Sequence, residues 1–319
     1  ILKRVSLPPF MKKFKGLLLA MLASATFGFI PLFSIPLLNS GIALDSVCFY
    51  RFLFATFFMW IICKVKHVSL KMNWKETYTM FLLSIFYAAT SIFLTASYKY
   101  MASGTATTIH FFYPVVVAGV MMLFFGEKFS WGKAIAIISG VLGVFFLSGG
   151  FSGRHVSIIG FLLVLVTIIT YPTYIVGVNN SPVIMKMNGM KMTFYVLFFS
   201  AFLFFCNVLI KDGGHFTPFE TGAQWANALA LSIIPTLVSD FALIYAVQMV
   251  GSTVTAILGC MEPLVAVING LIFFSEKFSY SEGIGMTLVF TAVFIIILNQ
   301  KPKGRQSDKE AVVSEQHGN

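Results

Sequence analysis

Charge is what this sequence has least of. Of its 319 residues only 11% are Asp, Glu, Lys or Arg, against roughly 25% in an ordinary soluble domain. That scarcity excludes a soluble two-domain protein, and 58% hydrophobic residues exclude a disordered chain. Acidic residues are the scarcer sign, 12 against 22 Lys+Arg, for a formal net charge of +10. A basic excess marks a nucleic-acid surface only when it clusters on one folded face. Cysteine is also sparse. Cys48, Cys63, Cys206 and Cys260 are scattered through apolar runs without a C-x-x-C pair, so neither a disulfide framework nor a metal site is signalled. Catalytic motifs are missing too. No H-E-x-x-H is present, and Gly126 to Gly132-Lys133 has the wrong spacing for a phosphate loop and ends in Ala134. An enzyme, an ATP-driven pump and a cofactor are therefore not expected.

What the chain does have is apolar length, with a mean hydropathy of +0.87. A spanning helix needs about 20 predominantly apolar residues. Ten runs qualify: 16–38, 42–62, 77–97, 103–125, 131–148, 157–178, 192–210, 224–247, 253–274 and 281–298. They far exceed the ~10-residue strands of a membrane barrel. The expected fold is an all-α membrane protein with ten transmembrane helices and no soluble domain. Lys and Arg in short loops mark the cytoplasmic side. With the N-terminus inside, 17 of the 22 fall in cytoplasmic segments and four outside, leaving Arg51 within a span. Both termini are expected in the cytoplasm of a bacterial inner membrane. The basic excess is thus a topology signal, with membrane lipid and no nucleic acid as partner. A head at 1–15 and a basic tail at 299–319 flank the spans. Met11-Lys12-Lys13 reads as a natural start, which makes residues 1–10 an upstream extension. The signal-peptide-like stretch that follows is expected to remain as the first helix.

The chain also repeats itself. Phe124-Phe125-Gly126-Glu127-Lys128-Phe129-Ser130 returns 149 residues later as Phe273-Phe274-Ser275-Glu276-Lys277-Phe278-Ser279. Pro114 and Pro263 each precede the glutamate by 13 residues. The copies are 16–148 and 157–298, five spans each. Five is odd, so the second copy enters the membrane from the opposite side. Two inverted repeats around a central cavity are the architecture of secondary transporters.

With Tyr50-Arg51-Phe52 and Ala55 in span two, Pro114 to Gly126-Glu127, and Glu262-Pro263 to Glu276, the chain resembles the EamA-type family of the drug/metabolite transporter superfamily. It departs from the pattern at Tyr113, where the second half has Glu262, and at Ser275, where glycine is usual. The resemblance implies a ten-helix inner-membrane carrier that exports or imports small metabolites.

Only Arg51, Asp240 and Glu262 place charge well inside spans. Each costs about 2.5–3.5 kcal/mol at a helix centre, so they must face a cavity or one another. Either a substrate or proton site or a structural Arg51–acid pair meets that demand. Thr255, Gly259, Glu262, Ala266 and Asn269 share one helical face, and Pro263 frees a carbonyl near Gly259. His110 and Tyr113 share a face of span four, where His110 is either a proton relay or a packing residue. Tyr87 with Ser84, Ser91 and Tyr98 in span three, and Tyr171 with Thr167, Thr170 and Tyr174 in span six, are pathway candidates. Pro114, Pro172 and Pro263 are the expected helix breakers. Glu127-Lys128 and Glu276-Lys277 are expected to shape chain reversals.

The expected function is secondary transport of small metabolites, such as amino acids or related compounds, by alternating access, with export and proton coupling as options. Two other readings stay open: efflux of drugs and amphiphiles, and a membrane scaffold that transports nothing. No polar ring or filter-like repeat favours a channel.

Overall fold

The structure, a computed structural model, describes residues 9–101, 103–147, 157–211, 213–273 and 280–299. These form fourteen α-helices and no strand. The first seven are α1 (Pro9–Phe27), α2 (Ile30–Asn39), α3 (Leu44–Val65), α4 (Trp74–Ser97), α5 (Ser103–His110), α6 (Tyr113–Phe125) and α7 (Trp131–Leu147). The second seven are α8 (Ile158–Asn180), α9 (Gly189–Lys211), α10 (Gly222–Ser232), α11 (Ser239–Val250), α12 (Ser252–Leu258), α13 (Met261–Phe273) and α14 (Tyr280–Asn299). A π-helical turn at Ile233–Val238 joins α10 to α11. Glu276-Lys277, residues 1–8 of the head and residues 300–319 of the tail lie outside the described residues.

Six segments are long and apolar enough to cross a membrane: Met11–Asn39, Leu44–Val65, Trp74–Ser97, Ile158–Asn180, Gly189–Lys211 and Gly222–Val250. The other apolar helices are shorter. Several expected spans are in fact broken. The chain leaves helical form at Gly28–Phe29, Phe111–Phe112 and Gly259–Cys260. Each break comes just before Pro31, Pro114 or Pro263 in the next helix. Proline brings no N–H and crowds the carbonyl four residues earlier, here that of Phe27, His110 or Gly259.

A freed carbonyl at membrane depth needs a new partner. The Ser24 hydroxyl donates to the Gly259 carbonyl at 2.7 Å, across 235 residues of sequence, and the Glu262 N–H adds a second bond at 3.0 Å. Pro235 makes the same demand at Leu231, whose carbonyl accepts from the Thr236 hydroxyl at 2.7 Å. Pro172, by contrast, lies inside α8 without breaking it.

Polarity is inverted relative to a water-soluble protein. Leu123 is 80% exposed and Ile210 83%, while Ser84, Thr167, Thr193, Ser200 and Thr236 are fully buried. Apolar side chains turned outward and hydroxyls turned inward suit lipid as the solvent, because interhelical hydrogen bonds and close packing hold such bundles together.

The helix pairings repeat with the halves exchanged. Along the repeat, α1 corresponds to α8, α3 to α9, α4 to α10–α11, α5 to α12, α6 to α13 and α7 to α14. The helices α3 and α7 pack on their own counterparts, α9 and α14. Where α1 packs on α11, α8 packs on α4; where α12 packs on α6, α5 packs on α13. Side chains follow the same rule. Thr26 and Ser239 bridge α1 to α11 at 2.6 Å, and Thr90 and Thr170 bridge α4 to α8 at 2.7 Å. Ser239 lies 149 residues after Thr90. Thr170 matches Thr26 once Gly16-Leu17-Leu18-Leu19 is laid on Gly160-Phe161-Leu162-Leu163. The π turn belongs to this register. Matching capping boxes, Asn73 with Glu76 and Thr221 with Gln224, open α4 and α10 148 residues apart. Past the turn the matched residues stand 149 apart, so the turn holds one extra residue, as π-bulges do.

Candidate functional site

Arg51 sits early in α3, 3% exposed. Its Nε donates to the Thr236 hydroxyl at 2.6 Å, Nη1 to Ser91 Oγ at 3.3 Å and Nη2 to the Pro235 carbonyl at 3.4 Å. The π turn thus presents two of its acceptors. The guanidinium carbon stands 5.2 Å from the Phe52 ring centre. Among the described residues no carboxylate pairs with Arg51. The structural Arg51–acid pair considered from sequence is therefore not formed. The cation is held by neutral dipoles.

One turn away along both neighbouring helices, the Tyr87 hydroxyl donates to Asp240 Oδ1. Tyr87 and Ser91 are four apart on α4, and Thr236 and Asp240 are four apart where the π turn enters α11, spacings that stack side chains on one face. The result is two rungs between α4 and α11: Tyr87–Asp240, and Ser91–Arg51–Thr236. Asp240 is fully buried, and its Oδ2 has no hydrogen-bond partner.

An aromatic wall closes the other side. Tyr113 meets Tyr171 edge-on at 4.8 Å, and the His110 ring lies 5.1 Å from Tyr113 and 5.5 Å from Tyr171. His110 Nδ1 is 2.8 Å from Thr167 Oγ1. That hydroxyl gives its one hydrogen to the Val164 carbonyl, so it accepts from His110 Nδ1.

The helix breaks meet at this point. The Tyr113 hydroxyl, beside one break, occupies the space where a side chain on Gly259, beside another, would begin. Gly28 brings the third break against α13, since a Cβ there would come 2.5 Å from the Glu262 carbonyl. Only glycine permits both approaches.

Arg51, Tyr87, His110, Tyr171 and Glu262 line one cavity of about 40 Å³, together with Phe27, Ile30, Thr90, Ser91, Leu94 and Thr95. A smaller one of about 10 Å³, reached by Tyr113, Ser24, Thr255 and Gly259, shares Phe27, Tyr171 and Glu262 with the first. Glu262 stands between them, partly buried and without an ion-pair partner among the described residues.

The structure thus brings most of the sequence candidates together. Asp240 is one side chain removed from the main cavity, behind Tyr87. Asn269 lies apart: it is buried with an unpartnered Nδ2 but lines neither cavity. The break at Gly259–Cys260 explains this, because a face counted at helical spacing loses phase where the helix stops. Ser84 turns its hydroxyl back to the Met80 carbonyl and lines neither cavity. Glu127 ends α6, bonded to Lys133 and to the Thr253 hydroxyl at 2.6 Å, so it ties α6 to α12 as well as to the turn. Among the contributors unseen in the sequence are Ser24, Thr236 and the Pro235 carbonyl, and the cavity-lining Thr90 and Thr95. A proline amid Ser232, Thr236 and Ser239 was the available signal for Thr236 and the Pro235 carbonyl.

Apolar helices with inward hydroxyls and a polar cavity at broken helices define a multi-pass helical membrane protein. Residues 14–149 and 158–298 each match the EamA-like transporter family. The chain belongs to the EamA-like transporter family. It is 27% identical over 248 residues to the uncharacterized transporter YvbV of Bacillus subtilis (strain 168), covering 74% of this chain and 77% of that one. A protein known by crystal structure superposes with a TM-score of 0.75 at 13% identity, over 89% of this chain and 98% of the other. That last likeness concerns the fold alone.

Proposed function

We propose that this protein is a secondary transporter of small zwitterionic metabolites, amino acids or related compounds, working by alternating access. The observation that carries the reading is one cavity lined by a cation, Arg51, and an acid, Glu262, neither of them ion-paired among the described residues. An Arg fork suits a carboxylate and holds it through charge-assisted bonds. Glu262 suits an amino group, and the Tyr171 and His110 rings suit the carbon skeleton between them.

In this reading the ten apolar runs are ten spans, arranged as two inverted five-span repeats with both termini in the cytoplasm of an inner membrane. The exchanged helix pairings support that arrangement, and broken helices at a midplane site are its usual accompaniment. A cavity of about 40 Å³ holds roughly two or three waters. That is smaller than a metabolite, so in this reading its walls part to load. The Glu127–Thr253 bond ties the cytoplasmic ends of α6 and α12 and is a contact that inward opening must break.

Counterflow into proteoliposomes preloaded with unlabelled L-amino acids tests the reading. Saturable exchange of the labelled compounds is expected. Flux that rises without saturation, or none with any amino acid, contradicts it.

A further inference from the structure

We propose that Asp240 is a proton-binding site, separate from the substrate cavity and coupled to it through Tyr87 and Arg51; this rests on the transporter reading above. A fully buried carboxylate with one hydrogen bond and an orphaned second oxygen bears an uncompensated charge, which is costly in a dry interior. Among the described residues no Lys or Arg nitrogen lies within 4 Å of it. A proton on Oδ2 removes the charge and leaves Oδ1 to accept from Tyr87. Beyond Tyr87 stands a second orphan. The Tyr174 ring packs 4.8 Å from that of Tyr87, and its buried hydroxyl has no partner.

Few other titratable groups among the described residues lie near Asp240. From α8, Tyr171 and Tyr174 lie within electrostatic reach, as does Arg51 from α3. The π turn, α12 and residues 16–27 of α1 contain none. On α9, Tyr195 points away and donates to the Leu70 carbonyl. On α11 itself, Tyr245 packs at Gly189. Among the described residues, Arg51 is the charged side chain placed to sense the state of Asp240.

The two rungs supply the coupling. With Asp240 neutral, only Glu262 across the cavity opposes Arg51, and the guanidinium can take a substrate carboxylate. When Tyr87 swings aside, the Asp240 O–H breaks, its proton passes to cavity water, and the carboxylate left behind competes for Arg51 from one turn away. Proton and substrate thus favour each other's binding, and by linkage each raises the other's affinity by the same factor. The sign follows: substrate affinity falls as pH rises through the titration of Asp240.

Infrared spectroscopy of the purified full chain in lipid tests the site itself. At neutral pH the wild type is expected to show the carbonyl stretch of a neutral carboxyl that Asp240→Asn lacks and Tyr87→Phe shifts. If the wild type shows no such band, or if the variants leave it unchanged, the proton site is overturned. Tyr87→Phe, which keeps the ring, serves if Asp240→Asn does not fold. Proteoliposomes and a mixture of labelled L-amino acids test the coupling. Asp240→Asn, a permanently neutral mimic, is expected to keep counterflow within about twofold and to lose accumulation driven by a pH gradient, because a coupling factor set to one transmits nothing. Gradient-driven accumulation by that variant at the wild-type level overturns the proposal. A wild type that exchanges none of the mixture overturns the transporter reading, and the infrared result then stands by itself.

Discussion

The two halves of the molecule share a scaffold and divide its charge. Matched hydroxyl pairs, Thr26 with Ser239 and Thr170 with Thr90, bridge matched helices, and matched prolines, Pro114 and Pro263, break matched segments. At the charged positions the match fails. Ser91 stands where the second half has Asp240, and Tyr113 where it has Glu262. Arg51 lies within α3, while its counterpart α9 has basic residues only near its ends, at Lys191 and Lys211. The first half supplies the buried base, and the second a buried acid, Asp240, and a partly buried one, Glu262. The repeat therefore builds two of the three helix breaks and much of the packing, and the charged residues sit where the repeat is violated. The proposed zwitterionic substrate has the same division of charge.

The largest expected effect comes from removing the base. Arg51→Gln deletes the carboxylate's partner. Two lost charge-assisted bonds of about 1.5 kcal/mol each amount to roughly a hundredfold loss of exchange. Counterflow by a folded, extractable variant measures this, and unchanged exchange denies Arg51 any part in binding. Next comes the meeting of the breaks. Gly259→Ala places a Cβ into the Tyr113 hydroxyl and 2.7 Å from the Ala256 carbonyl, an overpacking that costs about 1–3 kcal/mol. Adding Tyr113→Phe should recover part of that loss in thermal unfolding; no recovery means the two breaks do not touch as described.

A smaller effect is expected from Ser24→Ala. It leaves the Gly259 carbonyl with its Glu262 N–H bond alone and costs about 1 kcal/mol. The least concerns the matched bridges. Thr26→Val and Thr170→Val should each cost about 0.6 kcal/mol, the average for interhelical hydrogen bonds in membranes. What sharpens the comparison is their equality: a clear difference between the two variants would show that the halves do not bear load alike.

Much of this was legible in the sequence, and the remainder hid for definable reasons. Apolar run length marked the helical segments, and the spacing from Pro114 to Glu127 and from Pro263 to Glu276 marked the repeat. Scarcity of charge pointed to Arg51, Asp240 and Glu262, since so few ionisable groups lie inside apolar runs. Helical counting failed where helices stop. It carried a single face from Thr255 to Asn269 across the break at Gly259–Cys260, and Asn269 lines neither cavity. Pairwise partners were also out of reach. Nothing local in Ser24 announces a carbonyl 235 residues away, nor does Arg51 announce a hydroxyl 185 residues away. The extra residue of the π turn is visible only when the capping boxes and the buried rungs are compared in register.

The central claim is that base and acid read opposite ends of one substrate. Counterflow of an amino acid, its amide and its deaminated acid, each into vesicles holding wild type, Arg51→Gln or Glu262→Gln, tests it most directly. The wild type should prefer the intact amino acid over both analogues. Arg51→Gln should lose the preference over the amide alone, and Glu262→Gln the preference over the deaminated acid alone. If both variants lose the same preference, or neither does, the division of labour between the halves is contradicted.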